Sequence, residues 1–268
     1  MDSLKQNALK TFAWAAIAAM FLLFIAGIVF WKERFFFCDA SFIVFNILKY
    51  KIFYIQENRY GSFITQMIPY FGEKMGLPIG VIIKAYAFSF NFFYFIVILI
   101  VYRCRQYALA VIMPMYYVLI VSDTWYWTNN EIHQAIAWMF VLFSVVMLIG
   151  EKKSPWFLVL PVFLALAFLT IFTHFLVLIP LTFLWGFLWL RKEGWPFNNV
   201  ASAFLTMLLI CIVILKFLLV NDNGYDKSHL QNVTHFTVQD IFSALRTGVV
   251  SKFFENFLTN YWGGVYCS

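Results

Sequence analysis

Apolar runs of membrane-spanning length follow one another along this chain, and no other feature constrains its fold so strongly. A helix needs about 20 predominantly apolar residues to cross a bilayer. Seven runs approach that length, near 12–31, 78–102, 107–122, 134–150, 156–173, 175–190 and 200–220. The period-2 alternation in segments of about ten residues that marks a membrane β-barrel is absent. The expected fold is therefore an all-α integral membrane protein with about seven transmembrane helices.

Composition closes off the soluble alternatives. Charged residues make up 12% of the chain and hydrophobic ones 63%, where soluble domains carry roughly 25% charged residues. The 34 Phe, 14 Tyr and 10 Trp suit helices that meet lipid along their length and anchor at headgroup level. The net charge of +6 does not indicate nucleic acid, because the basic residues lie in twos at the ends of apolar runs rather than in a stripe. Four cysteines, Cys38, Cys104, Cys211 and Cys267, have no CxxC spacing, so nothing supports a zinc or thioredoxin-like site. Cys38 and Cys267 fall on one side of the membrane in the topology below, where either a disulfide or two free thiols would fit.

Short loops set the orientation. Arg103 and Arg105, then Lys152 and Lys153, then Arg191 and Lys192 mark alternate short loops, and Lys5 and Lys10 precede the first run. The intervening short loops, 123–133 and the turn around His174, contain no Lys or Arg. The N-terminus is thus expected in the cytoplasm, and the 32–77 segment, both of those loops and everything after Val220 outside. The first run starts like a signal peptide but is too long and lacks a small-residue cleavage site, so it is read as a helix. The fifth and sixth runs meet at Thr173 and His174, where one long helix, two spans or a re-entrant pair would all fit the sequence.

The long outer segment between the first two runs predicts two amphipathic helices in the interface plane, at 39–50 with Phe42, Phe45 and Leu48 on one face, and at 62–74 with Phe63, Met67, Tyr70 and Phe71. Two regions follow: a transmembrane module over 1–220 that includes the outer loop 32–77, and an extracytoplasmic tail over 221–268 with an amphipathic stretch near 238–258. The tail ends without a closing span, which points to a longer protein. Asn232, Val233 and Thr234 match a glycosylation acceptor, a triplet common by chance.

Ionisable residues in or near hydrocarbon are costly and often mark function. Asp39 serves equally as the cap of its helix or as a catalytic carboxylate. Glu57 and Arg59 read alone as a solvated loop pair. Glu131 and His133, two residues apart, point away from each other on a helix, and Glu131 is the better placed for a site. His174 at a turn is ordinarily a helix-end hydrogen-bonding group. Lys84, about 9 Å along its helix from Pro78, and Lys216 in the outer half of the last span would each snorkel to headgroups, but together with Arg59 they would hold a lipid phosphate. Midspan positions are nearly free of charge, with Asn91 and Pro114 the main exceptions. Carboxylates and a histidine on the same side as these cations fit displacement of a phosphate from an anomeric carbon, in which a base takes the acceptor proton and cations stabilise the leaving phosphate.

The order of elements resembles the GT-C superfamily of polyprenyl-phosphate-sugar-dependent glycosyltransferases: a cytoplasmic N-terminus, one span, a long outer loop with an acidic residue soon after it (FCDASF, around Asp39), two interfacial helices, and a seven-span module. The ENRYGSFITQMIPYFGEKMGLP stretch is similar to that family's second interfacial helix leading to span two. The resemblance implies Asp39 as base or metal ligand, Glu131 as the second acidic residue and Arg59 as a phosphate contact; joined to the residues read above, the expected catalytic set is Asp39, Glu131 and His174, and the expected substrate-binding set is Glu57, Arg59, Lys84 and Lys216. It implies a polyprenyl-phosphate-linked sugar donor, a glycan, lipid or protein acceptor, no nucleic acid, and an active site on the extracytoplasmic face of the plasma (inner) membrane if the source is bacterial. No DxD motif, paired Asp-Glu or Pro-Pro before span two occurs, so no cofactor is assigned and a divalent metal is left open. A multi-span polysaccharide polymerase or ligase and a transporter remain the alternative expectations.

Overall fold

Between Asp2 and Gly27 the sequence offers neither proline nor glycine, and Ala, Leu and Phe fill the turns, so α1 runs unbroken over Asp2–Val29. The computed structural model describes residues 2–35, 38–56, 59–120, 131–192, 196–220, 243 and 252. All of its regular structure is helical: α2 (Trp31–Phe35), α3 (Cys38–Tyr50), α4 (Phe63–Lys74), α5 (Ile79–Arg103), α6 (Tyr107–Met115), α7 (Glu131–Glu151), α8 (Trp156–Ile171), α9 (Leu178–Arg191) and α10 (Asn199–Val220). The chain divides into two units, Met1–Leu218 and Leu219–Ser268. Apart from residues 243 and 252, the expected amphipathic stretch of the tail lies outside the described residues, as do Asn232 and Cys267.

Among the described residues four helices are long and apolar enough to cross a membrane: Gln6–Val29, Ile79–Arg103, Glu131–Glu151 and Asn199–Leu219. A fifth span is added if α8 and α9 count as one broken pair, bent by 117°. Several such helices make this an integral multi-pass membrane protein. The expected count of seven is not reached. α8 and α9 have 16 and 14 residues, about 24 and 21 Å against a hydrocarbon core of about 30 Å. The run expected at 107–122 yields a short α6 that contains Pro114 and then loosens into a π-helical turn at Tyr116–Ile120.

α7 is the most enclosed helix, with every residue from His133 to Ser144 buried, and it packs against α5 and α8. α1 lies against α5 and α6 through Ala13, Ala16, Ile17 and Met20, while Phe12, Trp14, Phe21 and Leu22 face outward. Exposed apolar faces of this extent are what helices bordered by lipid present.

The segment between α1 and α5 forms the two amphipathic helices expected of it, within a residue of their predicted limits. α3 turns Ala40, Ile43, Val44 and Ile47 inward and leaves Phe42 and Phe45 exposed. α4 buries a polar and small face, Thr65, Gln66, Pro69 and Gly72, and exposes Met67 and Phe71. An apolar face turned outward belongs to a helix lying at a lipid surface. Lys51 Nζ meets Glu73 Oε1 at 2.8 Å and Phe53 stacks on Tyr70, tying the end of α3 to α4.

Helix ends show a repeated device. Gly76 ends α4 at φ +67, with the Leu77 N–H donating to Gly72 O. At comparable ends Lys51, Arg105, Lys153 and Lys192 adopt the same left-handed conformation. A cation there offsets the negative end of the helix dipole, and three of the four belong to loops expected on the cytoplasmic side.

Candidate functional site

The ends of several helices converge on the stretch 59–65. Arg59 Nη1 donates to Glu131 Oε2 at 3.3 Å, with the two side chains 11% and 13% exposed. Along the same face of α7, Thr65 Oγ1 donates to Gln134 Oε1 at 3.3 Å, and Trp138 Nε1–H donates to Gly61 O at 3.2 Å. Residues 131, 134 and 138 follow the i, i+3, i+7 stripe of a helix, so one α7 face holds the whole turn Tyr60–Ser62 and the start of α4. Gly61 also donates its N–H to Phe172 O. A Cβ at Gly61 would run into Thr173 Oγ1 and Leu169 O, so this close approach excludes a side chain.

The bend between α8 and α9 lies against the same place. Thr173 Oγ1 donates to Leu169 O at 2.5 Å, and His174 is extended (φ −160, ψ 132). His174 Nδ1 accepts the Leu176 N–H at 3.2 Å, capping the 3-10 turn Phe175–Val177. The helix-end explanation of His174 is thus what the structure contains, and it leaves the Nε2 proton of the neutral ring free of that cap. Burial, then the nearby Arg59 and Lys216 cations, push the His174 imidazole down to about 3. Phe172 lies beside Tyr60, with ring centroids 6.2 Å apart, and carries Lys216 Nζ 5.2 Å above its ring. Lys216 is 1% exposed, so it is enclosed by the bundle and does not snorkel. The cation–π contact with Phe172 compensates part of the cost of that burial.

Glu131 and His133 do point apart. His133 Nδ1 shares a 2.8 Å hydrogen bond with the Tyr116 hydroxyl, and the Tyr117 hydroxyl donates to His133 O at 2.8 Å. Both tyrosines belong to the π-helical turn, a local form often found at functional sites, and Tyr117 stacks on Tyr94 of α5.

Arg59, Glu131, His174 and Lys216 are therefore neighbours. Lys84 is elsewhere: it is exposed and lies 5.1 Å above the Trp31 ring. Asp39 falls in the first turn of α3, which begins at Cys38, so it sits inside the helix rather than before it. The Asp39 side chain and all of Glu57 lie outside the described residues. Among the described residues no three His, Cys, Asp or Glu side chains converge as a metal site would require.

A feature that sequence reasoning missed is Arg34. It reads as a charge of the outer loop, yet it is fully buried. Its Nε donates to Ala87 O at 3.0 Å and its Nη2 to Asn91 Oδ1 at 3.3 Å, while Asn91 Nδ2 donates to Leu23 O at 2.7 Å. The expectation of a nearly charge-free midspan is corrected: α2 folds back and delivers a guanidinium to the centre of α5. The carbonyl of Ala87 and the amide of Asn91 make that burial affordable by replacing water at the cation. The sequence signal was Asn91 itself, a polar residue with no apolar reason to be there.

No protein-family model matches this sequence, no curated protein matches it, and no solved structure matches its fold.

Proposed function

We propose that this multi-span membrane protein transfers a sugar from a polyprenyl-phosphate donor to a lipid, glycan or protein acceptor on the extracytoplasmic side. The observation that supports this reading most is the Arg59–Glu131 pair with His174 and Lys216 beside it, a carboxylate, a neutral imidazole and cations gathered where the interfacial helix α4 meets the bundle. In the proposed reaction Asp39 takes the proton of the acceptor hydroxyl, the hydroxyl oxygen bonds to the anomeric carbon, and the carbon–oxygen bond to phosphate breaks with inversion. Glu131 and His174 orient the attacking hydroxyl, and Arg59 and Lys216 stabilise the departing phosphate. Lys84, beside Trp31, is left to meet headgroups at the surface. In this reading α6, α8 and α9 act as short spans of a seven-span module similar to that of the GT-C enzymes. The test is transfer from radiolabelled polyprenyl-phosphate sugars in membranes containing the protein: transfer above that of control membranes supports the reading, and none with any donor removes it.

Arg34 favours a second reading, a transporter, because a cation bound at the centre of a span is where such proteins hold substrate or ions. The two separate on mutation: loss of activity in Asn91→Ala with Asp39→Ala unimpaired supports transport, and the reverse supports transfer.

A further inference from the structure

A cavity of about 840 Å³ lies between the starts of α8 and α10, against the last turn of α7. Gly150, in that turn, is about 29 Å from Glu131 by helical rise, so the cavity is remote from the Arg59–Glu131 pair. One part of its lining is polar, with Lys153, Ser154 and Asn198 from the two loops. The walls are apolar: α8 supplies Trp156, Val159 and Leu160, and α10 supplies Ala201 and Phe204. Leu160 is about 6 Å past Trp156 along α8, and Phe204 about 8 Å past Asn199 along α10, so these walls run from loop level into the apolar lengths of both helices. The Trp156 ring stands edge-on to Phe204, with centroids 6.1 Å apart, and tilts against Phe197 at 6.2 Å. A Cβ on Gly150 would run into Pro196 and Phe197, so the end of α7 packs directly on the segment that leads into α10, and the two form a common wall.

We infer that this cavity holds one anionic phospholipid of the leaflet at that end of the bundle, its phosphate at Lys153 and an acyl chain between α8 and α10. The division of the lining carries the inference: polar groups at loop level and apolar walls running into the hydrocarbon match a lipid lengthwise, and the volume is in the range of ligand pockets. Charge selects the headgroup. Among the described lining residues Lys153 is the cation and there is no carboxylate. α8 begins after Pro155 with no side-chain cap on its first N–H groups, which adds to the positive potential at that end. Lys152 and Lys153 mark a loop expected on the cytoplasmic side, where the leaflet is anionic. Rings such as Trp156, Phe197 and Phe204 suit a quaternary ammonium, but the same positive charge repels one, so phosphatidylglycerol is favoured over phosphatidylcholine. The site does not depend on the glycosyltransferase reading, which concerns the other end of α7.

The test is native mass spectrometry of the delipidated full chain in detergent, titrated with phosphatidylglycerol or phosphatidylcholine of identical acyl chains. Wild type is expected to bind one phosphatidylglycerol about fivefold more tightly than phosphatidylcholine. Lys153→Gln removes that margin and leaves phosphatidylcholine binding as it was. Lys192→Gln, which changes another lysine at a helix end but not in the lining, keeps the margin. Ala201→Phe, which places a ring in the slot, weakens both lipids. Glycerol 3-phosphate at the same concentration does not displace the bound lipid, because it has no acyl chain to fill the walls. Equal affinity for the two lipids overturns the inference, as does a preference for phosphatidylcholine. An equal loss in Lys192→Gln and Lys153→Gln overturns it too, since that is the behaviour of general surface charge, and displacement by glycerol 3-phosphate assigns the site to a soluble phosphate instead. Lys153 is exposed, so its variant decides the matter even where Ala201→Phe fails to insert.

Discussion

Arg59 and Glu131 are 72 residues apart in sequence and 3.3 Å apart in space, and their ion pair joins the turn before α4 to the first turn of α7. The pair is largely enclosed, so its cost and benefit differ from those of a surface pair. Removing one partner leaves a charge facing a poorly solvated position, which costs about 3 kcal/mol. Glu131→Gln and Arg59→Gln each lower the unfolding midpoint in detergent, and the double variant loses less than the sum of the two. Strict additivity in that double-mutant cycle would show that the two charges do not interact.

Gly61 is the point where the 59–65 stretch touches the bend between α8 and α9. Its closest neighbour on that side includes the Leu169 backbone carbonyl, which cannot rotate away as a side chain does. Gly61→Ala is expected to cost about 1–3 kcal/mol and to speed proteolysis of the 59–65 turn. Thr173→Ala in the same chain recovers only part of the loss, because the carbonyl remains. Unchanged stability in Gly61→Ala would mean that the turn does not dock there.

The bond between Arg34 and Asn91 makes Asn91→Leu a severe change despite its similar volume. Leucine leaves the guanidinium without one of its acceptors, a loss of about 1–3 kcal/mol. The pair Arg34→Met with Asn91→Leu restores an apolar match and recovers stability relative to Asn91→Leu alone. A double variant less stable than Asn91→Leu would refute the account of this pair.

His174 lies in the turn between α8 and α9, and its imidazole is held far below its ordinary 6.5, at about 3. The unfolded chain therefore binds a proton near pH 6.5 while the folded chain does not. Stability is unaffected above 6.5 and falls as pH drops from 6.5 towards 3. His174→Gln flattens that part of the melting-temperature profile between pH 6.5 and 4, and an equal slope in wild type and variant would remove His174 as its source.

Much of this architecture is legible in the sequence because lipid makes length and hydropathy decisive. α5, α7 and α10 lie within three residues of the expected runs, and α3 and α4 nearly coincide with theirs. What hydropathy does not contain is how a run is broken. After α8, Thr173 bonds back to Leu169 O and His174 caps the next turn through the Leu176 N–H, and Pro114 and the tyrosines after it end α6 before it reaches the length of a span. Both stretches remain apolar throughout, so they read as full spans. Among the site residues, the neighbourhood of Arg59, Glu131, His174 and Lys216 agrees with the expectation that the first three and the half of α10 carrying Lys216 share one side of the membrane. Gln134 carries no sequence signal, because an isolated polar residue near a helix start breaks no periodicity. Nothing in the order of residues says that α2 doubles back onto α5, so Arg34 falls, by sequence, in the outer segment 32–77.

The most direct test of the central claim is glycosyl transfer from radiolabelled polyprenyl-phosphate sugars in membranes carrying wild type or Asp39→Asn, with insertion of both confirmed. Wild type is expected to transfer the sugar and Asp39→Asn to lose that transfer, because an amide cannot accept the acceptor's proton. Transfer undiminished in Asp39→Asn would contradict Asp39 as the base, and absence of transfer by wild type with every donor would contradict the assignment as a glycosyltransferase.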